Sequence, residues 1–82
     1  MTSDVEYFKK FTPRERTYLR LLVTGTTTNK EIASAMGIKL SWVQRYATHL
    51  FEKTGTDNRM ALALFVVRRP ELEALLTKEG GA

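Results

Sequence analysis

The stretch Thr28-Asn29-Lys30-Glu31-Ile32-Ala33-Ser34-Ala35-Met36-Gly37-Ile38, continued by Lys39 to Gly55, decides the fold. It reads as a short helix, a tight turn at Gly37 and a second, longer helix. That is the layout of a helix-turn-helix, whose second helix can enter the major groove of DNA. Thr28, with Glu31 three residues on, has the form of a capping box. Ile32, Ala33 and Met36 make the buried face of the short helix, and Ala33 and Ala35 are small enough for a close helix–helix approach. Asn29 and Lys30 sit in its first turn, where free N–H groups and the positive dipole end suit a phosphate. Ile38 plugs the core after the turn. A helix over 40–54 follows and stops at Gly55. Its inward set is Val43, Ala47, Leu50 and Phe51, with Thr54 at the limit of the pattern. Ser41, Gln44, Arg45, Thr48 and Glu52 face outward, and Trp42, Tyr46, His49 and Lys53 lie at the margins.

The flanking sequence supports that pair. Upstream, Thr12-Pro13-Arg14-Glu15 places a capping threonine, a proline at the first helical position and a glutamate three after the cap. Tyr18, Leu19, Leu22 and Val23 form a one-face stripe, and Gly25 supplies a left-handed stop. Arg14, Arg16 and Arg20 lie off the stripe on a solvated face, from which one of them reaching DNA is the alternative. Residues 1–10 show no periodic pattern and read as a flexible, solvated leader. Val5, Tyr7 and Phe8 pack loosely in that reading, and Lys9-Lys10 are within reach of a phosphate. Downstream, Thr56-Asp57-Asn58 is a capping connector. The run Arg59-Met60-Ala61-Leu62-Ala63-Leu64-Phe65-Val66-Val67 is apolar on every side, so it needs cover on two faces. A second copy across a two-fold axis is the expected cover; the final helix of the same chain is the alternative. Pro70 breaks this helix, 71–78 reads as a short amphipathic helix, and Gly80-Gly81-Ala82 is expected to fray.

The bulk properties limit the function. The chain of 82 residues suffices for one all-α domain, with 11–69 as its body and 70–82 as a short helix and tail. It has no cysteine and a single histidine, His49, which leaves no thiolate metal site, no second ligand at helical spacing and no His-based catalytic pair. The net charge is +4, but it is uneven: residues 71–82 carry −2 and residues 1–70 carry +6. A basic body favours a nucleic-acid partner. No stretch approaches the ~18–20 apolar residues of a membrane span, and the polar, acidic N-terminus is unlike a secretion signal. A cytoplasmic location, at the nucleoid, is therefore expected, with no membrane partner. There is no phosphate loop, nucleophile elbow or metal-ligand spacing, so an enzyme is not expected, and no cofactor.

These residues carry a family resemblance. Thr12-Pro13-Arg14-Glu15 with Leu19 and Leu22, then Gly25, Asn29-Lys30-Glu31-Ile32-Ala33, Ile38, Val43, Leu50, Lys53, Gly55 and Asn58-Arg59 resemble the LuxR-type (GerE-type) helix-turn-helix domain of bacterial transcription regulators. The likeness runs without a gap over about residues 11–67. Ten residues precede it, as in stand-alone members of the family. The resemblance implies a four-helix domain, here with a short fifth helix, that dimerises through the helix over 59–67 and sets the helix over 40–54 in the major groove. By matching position, Gln44, Arg45 and Thr48 are nearest base edges, and Thr28, Asn29, Lys30, Trp42 and Tyr46 are phosphate contacts. The dimer would meet through Met60, Ala61, Leu64, Val67 and Arg68. The departures lie along the reading helix: Lys39 replaces the usual serine cap, and Trp42-Val43-Gln44-Arg45-Tyr46 replaces the usual Thr-Val-Lys-x-His.

Two functions follow as expectations. The first is a sequence-specific, dimeric DNA-binding regulator of transcription, with RNA polymerase or another regulator as a further candidate partner. The alternative is a protein-interaction module that pairs with another regulator and binds DNA weakly or not at all. Trp42 and Tyr46 divide between them: they flank the core, touch the sugar–phosphate backbone, or form a protein-binding patch. His49 reads as a surface residue near a phosphate.

Overall fold

The computed structural model describes residues 2–25 and 28–80, and among them there are six helices and no strand. These are α1 (Asp4–Lys10), α2 (Pro13–Val23), α3 (Asn29–Met36), α4 (Leu40–Thr54), α5 (Arg59–Val67) and α6 (Pro70–Gly80). The starts and stops follow local chemistry. The Thr12 hydroxyl accepts from the Glu15 N–H at 3.2 Å, and the Thr12 N–H donates to Glu15 Oε1 at 3.0 Å, closing the capping box of α2. Thr28 caps α3 by accepting from the Glu31 N–H at 3.1 Å. Here the glutamate differs from the expected box: its carboxylate accepts a hydrogen bond from the Thr28 hydroxyl, at 2.9 Å, rather than from the Thr28 N–H. Gly37 and Gly55 end α3 and α4 in the left-handed region, at φ 67° and 70°. The N–H groups of Ile38 and Thr56 then return to the carbonyls of Ala33 and Phe51. Both stops are the glycine-terminated type that only a residue without Cβ adopts freely.

The core lies where α2 to α6 converge. Tyr18 and Leu19 of α2, Ile32 and Ala33 of α3, Val43, Ala47 and Leu50 of α4, Leu62 and Val66 of α5, and Leu72 and Leu76 of α6 are buried together with Phe11. The spacings within α4 (four and three) and within α5 and α6 (four) put one face of each helix inward.

The N-terminal segment departs from expectation. Asp4–Lys10 is a helix, capped by the Ser3 hydroxyl, rather than a leader without pattern. At seven residues it is too short to hold itself in water, and tertiary contacts supply the stability. The Arg69 guanidinium lies 5.0 Å from the Tyr7 ring and 4.4 Å from the Phe65 ring. It also pairs with Asp4 at 3.3 Å. Asp4 Oδ2 accepts the Leu72 N–H, also at 3.3 Å, so α1 caps the first turn of α6 from another helix. Arg16, expected on a solvated face, stacks 4.0 Å from the Phe8 ring and donates from Nε to the Phe8 carbonyl. The final helix begins at Pro70 and includes Gly80, where fraying is expected from the sequence; residues 81–82 lie outside the described residues.

Glu15 has a role beyond its cap. It is fully buried, and Oε1 also accepts from Lys53 Nζ of α4 at 2.6 Å. Lys53 donates in addition to the Lys10 carbonyl, at 2.9 Å, and His49 Nδ1 lies 3.8 Å from Glu15 Oε2. One carboxylate thus joins the start of α2, the last turns of α4 and the end of α1. Glu15 is the buried member of the pair and Lys53 is partly exposed, so removing Glu15 forfeits its cap and its charge-assisted hydrogen bond from Lys53 rather than stranding the ammonium. Glu15→Ala is expected to lower unfolding stability by about 2–3 kcal/mol in urea titrations with an unchanged m-value. A loss below about 0.5 kcal/mol would show that the pair is only a surface contact.

Candidate nucleic-acid interface

The α3–turn–α4 unit presents a polar row. Val43, Ala47 and Leu50 bury one face of α4, which forces Gln44, Arg45 and Thr48 onto the opposite side, and all three are exposed. The Thr48 hydroxyl donates to the Gln44 carbonyl at 3.0 Å, leaving its lone pairs and methyl group outward. Lys39, at the cap position of α4, makes no side-chain cap hydrogen bond, as its chemistry requires: an ammonium cannot accept an N–H. Trp42 is 46% exposed, and the Arg45 guanidinium carbon lies 4.7 Å from the centre of its ring. Tyr46 is half-buried, with its ring 6.3 Å from that of Trp42 and tilted by 34°. Trp42 and Tyr46 share a shallow recess with Ile38 and with Arg14 of α2.

The α3 end is built differently. Thr28 is exposed, but its hydroxyl is engaged by Glu31 as both donor and acceptor. Lys30 is exposed at the helix start. Asn29 is half-buried, and its side-chain oxygen lies 3.5 Å from both the Tyr18 hydroxyl and Arg59 Nη1, which leaves its amide N–H groups as the outward function. Arg59 and Tyr18 thereby anchor α3 to α5 and α2, a link the sequence pattern did not disclose because it joins residues 11 and 30 positions apart. Burial lifts the Tyr18 phenol above the usual tyrosine range, and the nearby Arg59 charge partly opposes it. The unfolded chain therefore gives up this proton first as pH rises. The stability that follows is complete below about pH 10 and is lost above it. Urea midpoints measured from pH 8 to 11 should fall more steeply for the wild type than for Tyr18→Phe; parallel slopes would contradict the shift.

A second exposed surface runs along α5. Met60, Leu64 and Val67 are 74%, 43% and 50% exposed, at spacings of four and three, with Arg68 exposed beside them and Ala61 half-buried. The opposite side of α5, Leu62 and Val66, faces the core. The chain's own α6 packs against α5 but leaves this stripe uncovered.

Residues 9–66 match the family model described as bacterial regulatory proteins, luxR family. Over 57 residues, 70% of this chain, the sequence is 42% identical to a probable transcriptional regulator, ycf29, of Cyanophora paradoxa, of which it covers 27%. It is 41% identical over 58 residues, 71% of the chain, to the response regulator Rre1 of Synechocystis sp., covering 25% of that protein. The ycf29 protein of Porphyra purpurea is 39% identical over 57 residues, with 70% of this chain and 27% of the relative covered. The chain thus spans about a quarter of the length of these curated relatives. No solved structure matches it. With the family match covering more than half of its residues, the chain belongs to the LuxR family of bacterial regulatory proteins.

Proposed function

We propose that this chain is a sequence-specific DNA-binding regulator of transcription, acting as a dimer with α4 in the major groove. The observation that carries it is the exposed row Gln44, Arg45 and Thr48 on a helix whose other face is locked into the core. Arginine pairs bidentately with guanine O6 and N7, and glutamine with adenine N6 and N7. Lys30 and the amide of Asn29, at the start of α3, suit phosphates, as does the Tyr46 hydroxyl. The names of the relatives, a probable transcriptional regulator and a response regulator, agree with this role. The work would be done in the cytoplasm, at the nucleoid. Arg45→Ala should lower affinity for a duplex selected from a random pool by about 5- to 100-fold, and relax the preference at one base position. It should weaken binding to random duplex far less. Equal losses on both would make Arg45 a phosphate contact.

The stripe Met60, Leu64 and Val67, with Ala61 and Arg68, supports pairing through α5 across a two-fold axis. Two copies would then read half-sites about one helical turn apart. Sedimentation equilibrium should show a wild-type dimer and a Leu64→Glu monomer that still folds. A wild-type monomer at high concentration would exclude this arrangement. The exposure of two large apolar side chains, Leu40 and Trp42, in the first turn of α4 favours a second reading, an interaction module for another regulator. Absence of DNA binding by wild type at low salt would select it.

A further inference from the structure

Trp42 departs from the family pattern, and the structure brings it into contact with Arg45, at the position that pattern leaves open. The guanidinium carbon of Arg45 lies 4.7 Å from the centre of the Trp42 ring. The two residues are three apart on α4, where helical side chains share one face. Trp42 is itself held: its neighbours in the recess are Ile38, Arg14 and Tyr46, and the Tyr46 ring sits 6.3 Å away. Arg45 donates to no carbonyl or carboxylate among the described residues, so all five of its N–H donors stay available. A guanidinium held over a ring keeps those donors together in the plane of its rigid fork.

We propose that Trp42 is a positioning residue for base reading: its indole is a fixed plate that orients the Arg45 fork before DNA arrives. This rests on the reading of α4 as the groove-entering helix, and it changes the role of Trp42 from a phosphate contact to a specificity determinant. A free arginine loses rotamer freedom when it forms a bidentate pair, and an arginine already stacked loses less. Discrimination at the base that Arg45 reads then depends on two residues, only one of which touches DNA. A stack this exposed corresponds to a population factor of about two- to five-fold, and that sets the scale of the effect.

The test uses the intact chain, a duplex selected by wild type and variants of it substituted at each base position. Trp42→Ala should reduce discrimination by about two- to five-fold at the one position that Arg45→Ala relaxes, and leave discrimination at the other positions nearly unchanged. Trp42→Phe, which keeps a ring face, should recover much of it. In the Arg45→Ala background, Trp42→Ala should have no further effect on discrimination. A uniform loss across all sequences, or additive losses in the double variant, would overturn the proposal and return Trp42 to a backbone or structural role. An independent readout needs no DNA: the ring current of the indole, the sole tryptophan of the chain, should shift the Arg45 side-chain methylene protons upfield in NMR spectra. Their shifts should move to ordinary arginine values in Trp42→Ala, and unshifted wild-type protons would also overturn it. If wild type selects no duplex, the DNA-binding reading has failed. The NMR result then still reports whether the stack exists.

Discussion

The buried carboxylate of Glu15 is the constraint on which the arrangement of helices depends. A carboxylate removed from water survives only when its lone pairs are taken up by donors. Here the Thr12 N–H and the Lys53 ammonium both donate to Oε1, and His49 stands near Oε2. No buried side-chain nitrogen or oxygen among the described residues is left without a hydrogen bond. Because these donors come from the start of α2 and the last turns of α4, the ends of two helices are tied at one point. The apolar faces of α4, Val43, Ala47 and Leu50, set its rotation about its own axis, while Lys53 and Glu15 set where its C-terminal end sits. Together they decide which side chains α4 shows to the outside.

The flanks extend this framework. α1 and α6 reach beyond residues 9–66, the part matched by the family, and hold each other through Asp4, Tyr7, Arg69 and the first-turn N–H of Leu72. The arginine serves twice, as the partner of a carboxylate and as a cation over two rings that themselves meet edge to face, which suits its flat, weakly hydrated head group. Leu72 and Leu76 then close the side of the core that α1 and α2 leave open. The result is a helical body larger than a four-helix domain, and α5 is left with one face buried and one face bare.

The surface row and the bare stripe are consequences of that packing. Gln44, Arg45 and Thr48 point outward because the alternative faces of α4 are occupied, and Met60, Leu64 and Val67 stay exposed because α6 covers other parts of α5. The exposed row and the bare stripe therefore lie on separate helices joined by a four-residue connector, Gly55 to Asn58, whose Asn58 caps α5, with the Asn58 side chain accepting from the Ala61 N–H at 2.8 Å.

By itself the sequence determined the helix boundaries of α2 to α5, the capping residues Thr12, Thr28 and Asn58, the left-handed turns at Gly37 and Gly55, and the split of α4 into buried and exposed faces. These are local effects: an oxygen three residues from a free N–H, a residue without Cβ at positive φ, apolar side chains at a spacing near 3.6. Only the tertiary structure decided the rest. α1 has no periodic signal because its stability comes from Arg69 and Phe65, more than 50 positions away. Glu15 looks like a simple cap until Lys53 arrives from 38 positions on, and Asn29 looks free until Tyr18 and Arg59 close around it. The stack of Arg45 on Trp42 has helical spacing, yet spacing alone does not say which of several neighbours a long cationic side chain will choose. Pairings between distant residues leave no periodic mark on the chain, so the packed structure alone reveals them.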